Sequence, residues 1–118
     1  MEAAKRLFAQ ARKEGRNYLL EPEAKTMCTQ YGIPVTRFKV ARNPEEAKRH
    51  AQEIGYPIVL KIVSPDIIHK WDVGGVALNL KTPKQVQEAY NKILENVKKH
   101  KPDARIIGML VQEMAPSS

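Results

Sequence analysis

Cysteine and aromatic residues are scarce in this chain. A single cysteine, Cys28, stands among 118 residues, so no internal disulfide can form and a reducing, cytoplasmic setting is expected. Aromatic residues make up 6%, with one tryptophan. The predicted strands offer Phe38 and little else for stacking bases, so a nucleic-acid partner is not expected. No apolar run approaches the roughly 18–20 residues that cross a bilayer, and no membrane partner is expected. The stretch Met1-Glu2-Ala3-Ala4-Lys5-Arg6 lacks the apolar segment of a secretory signal. Clustered carboxylates are missing too. Asp66 and Asp72 are loop residues without an evident partner, so no metal ligands are assigned.

What is present reads as a small globular fold. Hydrophobic residues at 42% and charged residues at 28% are enough to build a core and too apolar for wholesale disorder. The net charge of +7 points to an anionic partner, whether phosphate, nucleotide, nucleic acid or membrane surface, and its sign does not choose among them. Lysines and arginines are dispersed, often near glutamates. Only Lys98-Lys99-His100-Lys101 clusters, at the end of a predicted helix where cations suit the macrodipole.

Start and stop signals divide the chain. Residues 2–14 form a helix with Ala4, Leu7, Phe8 and Ala11 on one face, stopped by Gly15. After a connection from Asn17 to Leu20, Pro22 opens a helix over 23–31. Its apolar positions are Ala24, Met27, Cys28 and Tyr31, and Gly32 and Pro34 end it. Cys28 is thereby expected to be a buried structural thiol. Residues 36–41 are a strand, and Asn43-Pro44-Glu45-Glu46 caps a helix running to Ile54. Thr82-Pro83-Lys84-Gln85 repeats that signal, with Gln85 placed for a capping box. The helix it opens buries Val86, Ala89 or Tyr90, Ile93 and Val97, and residues 105–114 form the last strand. Residues 36–62 and 76–113 therefore share one plan. The expectation is an α+β fold, a βαββαβ sandwich with helices on one face, behind an N-terminal helical pair. The domain division expected is 1–20 for the first helix and connector, and 21–118 for the rest.

The most informative stretch lies between these units. Pro57-Ile58-Val59-Leu60 reads as a buried strand, yet Lys61 occupies a position where the pattern expects an apolar residue. A loop of about ten residues follows, holding His69 and Lys70, and Gly74-Gly75 opens the next strand; loops that long in tightly connected domains are usually functional. A rigid strand cation, loop cations and a diglycine together are the ingredients of a phosphate grip. Taken singly, each has a plainer reading as a solvated lysine, a loop imidazole and a turn. Trp71 is expected to anchor the loop by packing.

Three segments carry a resemblance: EPEAKTMCTQYGIPV, IGYPIVLKIVSPDIIHKWDVGGVALNL and IGMLVQEMAP. In order and spacing they resemble the ATP-grasp subunit of ADP-forming acyl-CoA (acetyl-CoA) synthetases, relatives of succinyl-CoA synthetases. The resemblance implies the reaction acyl-CoA + ADP + phosphate ⇌ acid + CoA + ATP, with a histidine on a CoA-binding alpha subunit or domain relaying the phosphoryl group. It implies that Lys61 contacts the phosphates of ATP or ADP, and that His69, Lys70, Gly74 and Gly75 belong to a phosphate-covering loop. Gln112, Glu113 and Met114 match a hinge whose backbone meets the adenine edge. His69 matches a loop histidine that takes up phosphate during the relay. Phosphoryl transfer needs positioning and charge neutralisation more than covalent work, which suits such a set.

The family clamps its nucleotide between two subdomains, and Ala115-Pro116-Ser117-Ser118 follows directly on the hinge. The expectation is the first ATP-grasp subdomain alone. Mg²⁺ would be held by carboxylates of a second subdomain, and turnover would require that second half. The alternative is a non-catalytic nucleotide-binding or subunit-interaction module.

Overall fold

The computed structural model describes residues 2–15, 19–33 and 35–114. Asn17, Pro34, residues 115–118 and the side chain of Ala4 lie outside what is described. The chain divides into two compact units, Met1–Val35 and Thr36–Ser118.

The first unit holds α1 (Glu2–Lys13) and α2 (Glu21–Gln30). Ala11 is buried as expected, whereas Phe8 is exposed. Glu23 reaches back to accept from the Leu20 N–H at 2.7 Å, satisfying a donor that the start of α2 leaves unpaired. No residue of α2 is buried, so Cys28 is a half-buried thiol and the expectation of a fully buried one is corrected. Lys25, Thr26, Thr29 and Gln30 interrupt its apolar positions and leave too narrow a stripe for full burial.

The second unit runs β1 (Phe38–Ala41), α3 (Pro44–Ile54), β2 (Ile58–Val63), β3 (Val76–Leu80), α4 (Pro83–His100) and β4 (Gly108–Glu113). This is the expected βαββαβ plan. The sheet order is β1-β4-β2-β3 and every neighbouring pair is antiparallel. Strands β1 and β2 consequently run parallel with β4 between them, and β3 and β4 run parallel with β2 between them. Parallel strands need a long crossover, and α3 and α4 supply one each.

Both crossovers start on the caps read from sequence. Asn43 Oδ1 accepts from the Glu46 N–H at 2.8 Å, and Thr82 Oγ1 accepts from the Gln85 N–H at 3.1 Å. Glu46 and Gln85 reach back in turn, accepting from the N–H of Arg42 and Lys81 at 2.8 Å.

Register sorts the sheet residues by face. Ala41, Ile58, Leu60, Ile62, Leu80, Met109 and Val111 meet Ala47, Ala51 and Ile54 of α3 and Val86, Tyr90, Ile93 and Val97 of α4 in one core. Alternation along the strands turns Val59, Lys61, Val63, Leu110 and Gln112 to the opposite face. Between Ile58 and Leu60 the pairing with β3 slips by one residue, so Leu78 and Asn79 together oppose Val59, with Asn79 at φ 56°.

Candidate functional site

Lys61 sits mid-strand because β2 has two different faces. Its neighbours Leu60 and Ile62 are fully buried on the helix side, while Lys61 itself is half-buried on the other. It pairs with Leu110 of β4 and Val76 of β3, so strands on both sides fix its backbone. A lysine stem can lie along apolar neighbours and keep its ammonium at the surface. The result is a cation of fixed origin on the sheet face opposite α3 and α4.

The segment after β2 leaves the sheet and returns to it through its own hydrogen bonds. Its root is pinned first. Ser64 is buried, its Oγ accepts from the Asp66 N–H at 3.1 Å, and Ile67 is buried in the main core. Asp66 pairs with Arg105. Its Oδ2 accepts from the Arg105 N–H at 2.7 Å and lies 3.5 Å from the Arg105 Nε. That backbone N–H, with the charge of Arg105 behind it, holds the Asp66 carboxyl below the usual carboxylate range.

The return is pinned by the diglycine. Gly75 donates to the Lys70 carbonyl at 2.7 Å and accepts from the Ile62 N–H at 2.8 Å. Gly74 donates to the Trp71 carbonyl at 3.2 Å and accepts from Asn96 Nδ2 of α4 at 3.0 Å. Both glycines are required here. A Cβ on Gly74, which has φ +67°, would lie 2.5 Å from Asn96 Nδ2, and one on Gly75 would lie 2.6 Å from Ile62 Cγ2. The room that glycine leaves is filled by the protein, and both amide hydrogens point into the loop.

The same bonds tie the loop backbone to the strand. The Lys70 carbonyl is joined through Gly75 to the amide of Ile62, the residue after Lys61. The backbone that carries Lys70 is thereby fixed to the strand that carries Lys61. His69 lies at the apex beside Lys70. It is exposed, and its carbonyl accepts from the Asp72 N–H at 3.1 Å. Ile68 and Trp71 flank it at 78% and 66% exposure. The expectation that Trp71 anchors the loop by packing is therefore corrected: Ile67, the diglycine and the Asp66–Arg105 contact hold the loop, and the indole faces outward.

Gln112, Glu113 and Met114 close β4. Gln112 opposes Phe38 and Val59, which puts it on the Lys61 face, one pair along the strand. Its Oε1 is buried without a hydrogen-bond partner. Glu113 opposes Ile58, three residues from Lys61, which is about 10 Å along the strand. Its carboxylate accepts from the Arg37 N–H at 2.8 Å and the Arg37 Nε at 3.2 Å, contacts that hold its carboxyl below the usual range. The Glu113 and Met114 amides donate to the carbonyls of Arg37 and Pro57, at 2.9 and 3.2 Å.

A cleft of about 400 Å³ lies elsewhere, where α4 ends, lined by Leu94, Val97, Lys98, Ala104 and Ile106 among others. It includes none of the site residues read from sequence. Among the described residues, no three His, Cys, Asp or Glu side chains converge to hold a metal ion, and no helix is long and apolar enough to cross a membrane. Asn96 and Arg105 went unread in the sequence. The one signal was an asparagine late in a long helix, where it is a poor helix former.

Residues 10–118 match the ATP-grasp domain family, and the chain belongs to it. Its curated relatives include subunits of ADP-forming acetate–CoA ligases. The beta subunit of acetate–CoA ligase (ADP-forming) I from Pyrococcus furiosus is 50% identical over 113 residues, which are 96% of this chain and 48% of that one. Acetyl-coenzyme A synthetase 1 of Ca. Korarchaeum cryptofilum, solved with coenzyme A and Ca-AMPCP, superposes with a TM-score of 0.93 at 50% identity, over 98% of this chain and 50% of that one. The same synthetase, solved with coenzyme A and Mg-AMPPCP and with its phosphohistidine segment pointing towards the nucleotide binding site, gives a TM-score of 0.78 at 45% identity, over 97% of this chain and 46% of that one. The chain spans about half the length of these relatives.

Proposed function

We propose that these residues form the nucleotide-gripping half of an ADP-forming acyl-CoA synthetase, which converts acyl-CoA, ADP and phosphate to acid, CoA and ATP. The observation that carries the reading is the pair of hydrogen bonds linking Lys70 through Gly75 to the strand of Lys61. In this role Lys61 and Lys70 neutralise phosphate oxygens while the strand keeps Lys61 in place. Such preorganised charge is the main thing phosphoryl transfer requires of a protein.

His69 is the group that accepts and passes on phosphate. Its exposure at a loop apex suits an imidazole that must meet both a donor and a nucleotide, and a covalent stop divides one long transfer into two short ones. The hinge residues Gln112, Glu113 and Met114 border the base. Because the Glu113 and Met114 amides are already committed, base contacts fall to their carbonyls and to the Gln112 amide group. Magnesium arrives with the nucleotide. In this reading its protein ligands belong to the second ATP-grasp subdomain. The partners are a CoA-binding alpha subunit or domain and a second ATP-grasp subdomain.

An amide-resolved NMR titration of this chain with Mg-ATP at two salt concentrations tests the reading. Shifts gathered at Lys61, His69 to Gly75 and Gln112 to Met114 are expected, and Lys61→Ala should weaken binding at least about tenfold, the effect of one charge-assisted contact. No shifts there at millimolar nucleotide would leave only the interaction-module reading.

A further inference from the structure

The loop that carries His69 and Lys70 is held at its return by a residue outside it. Asn96 lies on α4, 22 positions from Gly74, and its Nδ2 donates to the Gly74 carbonyl at 3.0 Å. The same amide fills the space that a Cβ on Gly74 would take. Asparagine is a poor residue for a helix interior, with a cost of up to about 0.7 kcal/mol relative to alanine. It sits just before Val97, at the margin of the stripe Val86, Tyr90, Ile93 and Val97 that holds α4 to the sheet. Its donor is thus carried by one of the best-anchored segments of the unit.

We propose that Asn96 is a positioning residue that holds the phosphate loop in its observed arrangement, a role that rests on the nucleotide reading above. Asn96 fixes the Gly74 carbonyl, and the next amide, Gly75, donates to Lys70 at 2.7 Å while its carbonyl accepts from Ile62 beside Lys61. Losing the first bond frees the peptide that orients the second. The Lys70 backbone then loses its tie to the strand that carries Lys61. Asn96 acts through Gly74.

Two variants separate positioning from a general stabilising role. Asn96→Asp keeps the shape but removes the donor, and Asn96→Ala removes the donor while favouring the helix. Native-state hydrogen exchange by NMR on the 118-residue chain reads the Gly75 amide directly, with the Leu110 amide of the central strand as the reference for global stability. The expected result in both variants is roughly tenfold faster exchange at Gly75 with Leu110 unchanged, a factor equivalent to about 1.4 kcal/mol and of the size expected for one hydrogen bond. Mg-ATP affinity should fall by about the same factor. Unchanged Gly75 exchange would overturn the proposal, as would faster exchange with unaltered Mg-ATP affinity, which would make Asn96 structural only. If the unmodified chain binds no Mg-ATP, the nucleotide reading fails and takes the positioning role with it; the exchange data still record whether Asn96 holds the loop.

Discussion

The two crossover units of the second compact unit begin alike and end differently. Each starts with a side-chain cap, a proline and a residue that reaches back to the preceding amide. Helix α3 spans 11 residues and ends at Ile54, close before β2, whereas α4 spans 18 residues and is followed by a connection before β4. The added length carries Asn96, and the connection carries Arg105. Those two residues grip the return and the root of the His69 loop. Nothing in α3 has such a contact among the described hydrogen bonds. The same plan therefore serves two ends: the shorter unit closes the core, and the longer one also braces the functional loop.

The largest effect should ignore this difference. Ile93 of α4 belongs to the one core that both helices share, so Ile93→Ala should cost about 2–5 kcal/mol in chemical denaturation, in a single transition. Separate transitions for amides of α3 and α4 would break the comparison, because they would show that the longer crossover melts alone. A smaller effect tests the shared start. Asn43→Ala and Thr82→Ala should each cost about 1 kcal/mol and lower the melting temperature by similar amounts. A clearly larger drop for Thr82 would mean that the α4 cap also supports the loop.

The smallest effect is confined to acid. The carboxyls of Asp66 and Glu113 are held below their ordinary range by donors from Arg105 and Arg37. A depressed folded value means that each contribution is complete above the unfolded carboxylate value of about 4 and is lost as pH falls further. The Arg105 amide resonance should therefore move below about pH 4, and Asp66→Asn should abolish that titration. A midpoint above pH 5 would show that something other than this contact controls the loop root.

The helices and strands were legible because their signals are local. Asn43-Pro44, Thr82-Pro83 and the apolar run before Lys61 each announce an element within a few residues. Lys61 itself stood out because it breaks a pattern. The grip on the loop was not legible, since Gly74 and Asn96, or Asp66 and Arg105, meet only after the sheet has brought distant segments together. Trp71 misled for a related reason. A lone indole in a loop suggests burial, but the anchoring had already been taken by Ile67 and the two glycines, whose small size concealed their role. The strand order, with β4 inserted between β1 and β2, also depends on long-range pairing that a single sequence does not display.

The slip in pairing at Leu78 and Asn79 has a consequence for how this protein behaves in company. Strand β3 is the outermost strand on its side of the sheet, and its far side is where the ladder of another molecule would add. Two residues facing one, with Asn79 turned into the left-handed region, spoil the even spacing of backbone donors and acceptors that such an addition needs. The irregularity guards a lysine-rich protein with an apolar sheet against growing into fibres edge to edge.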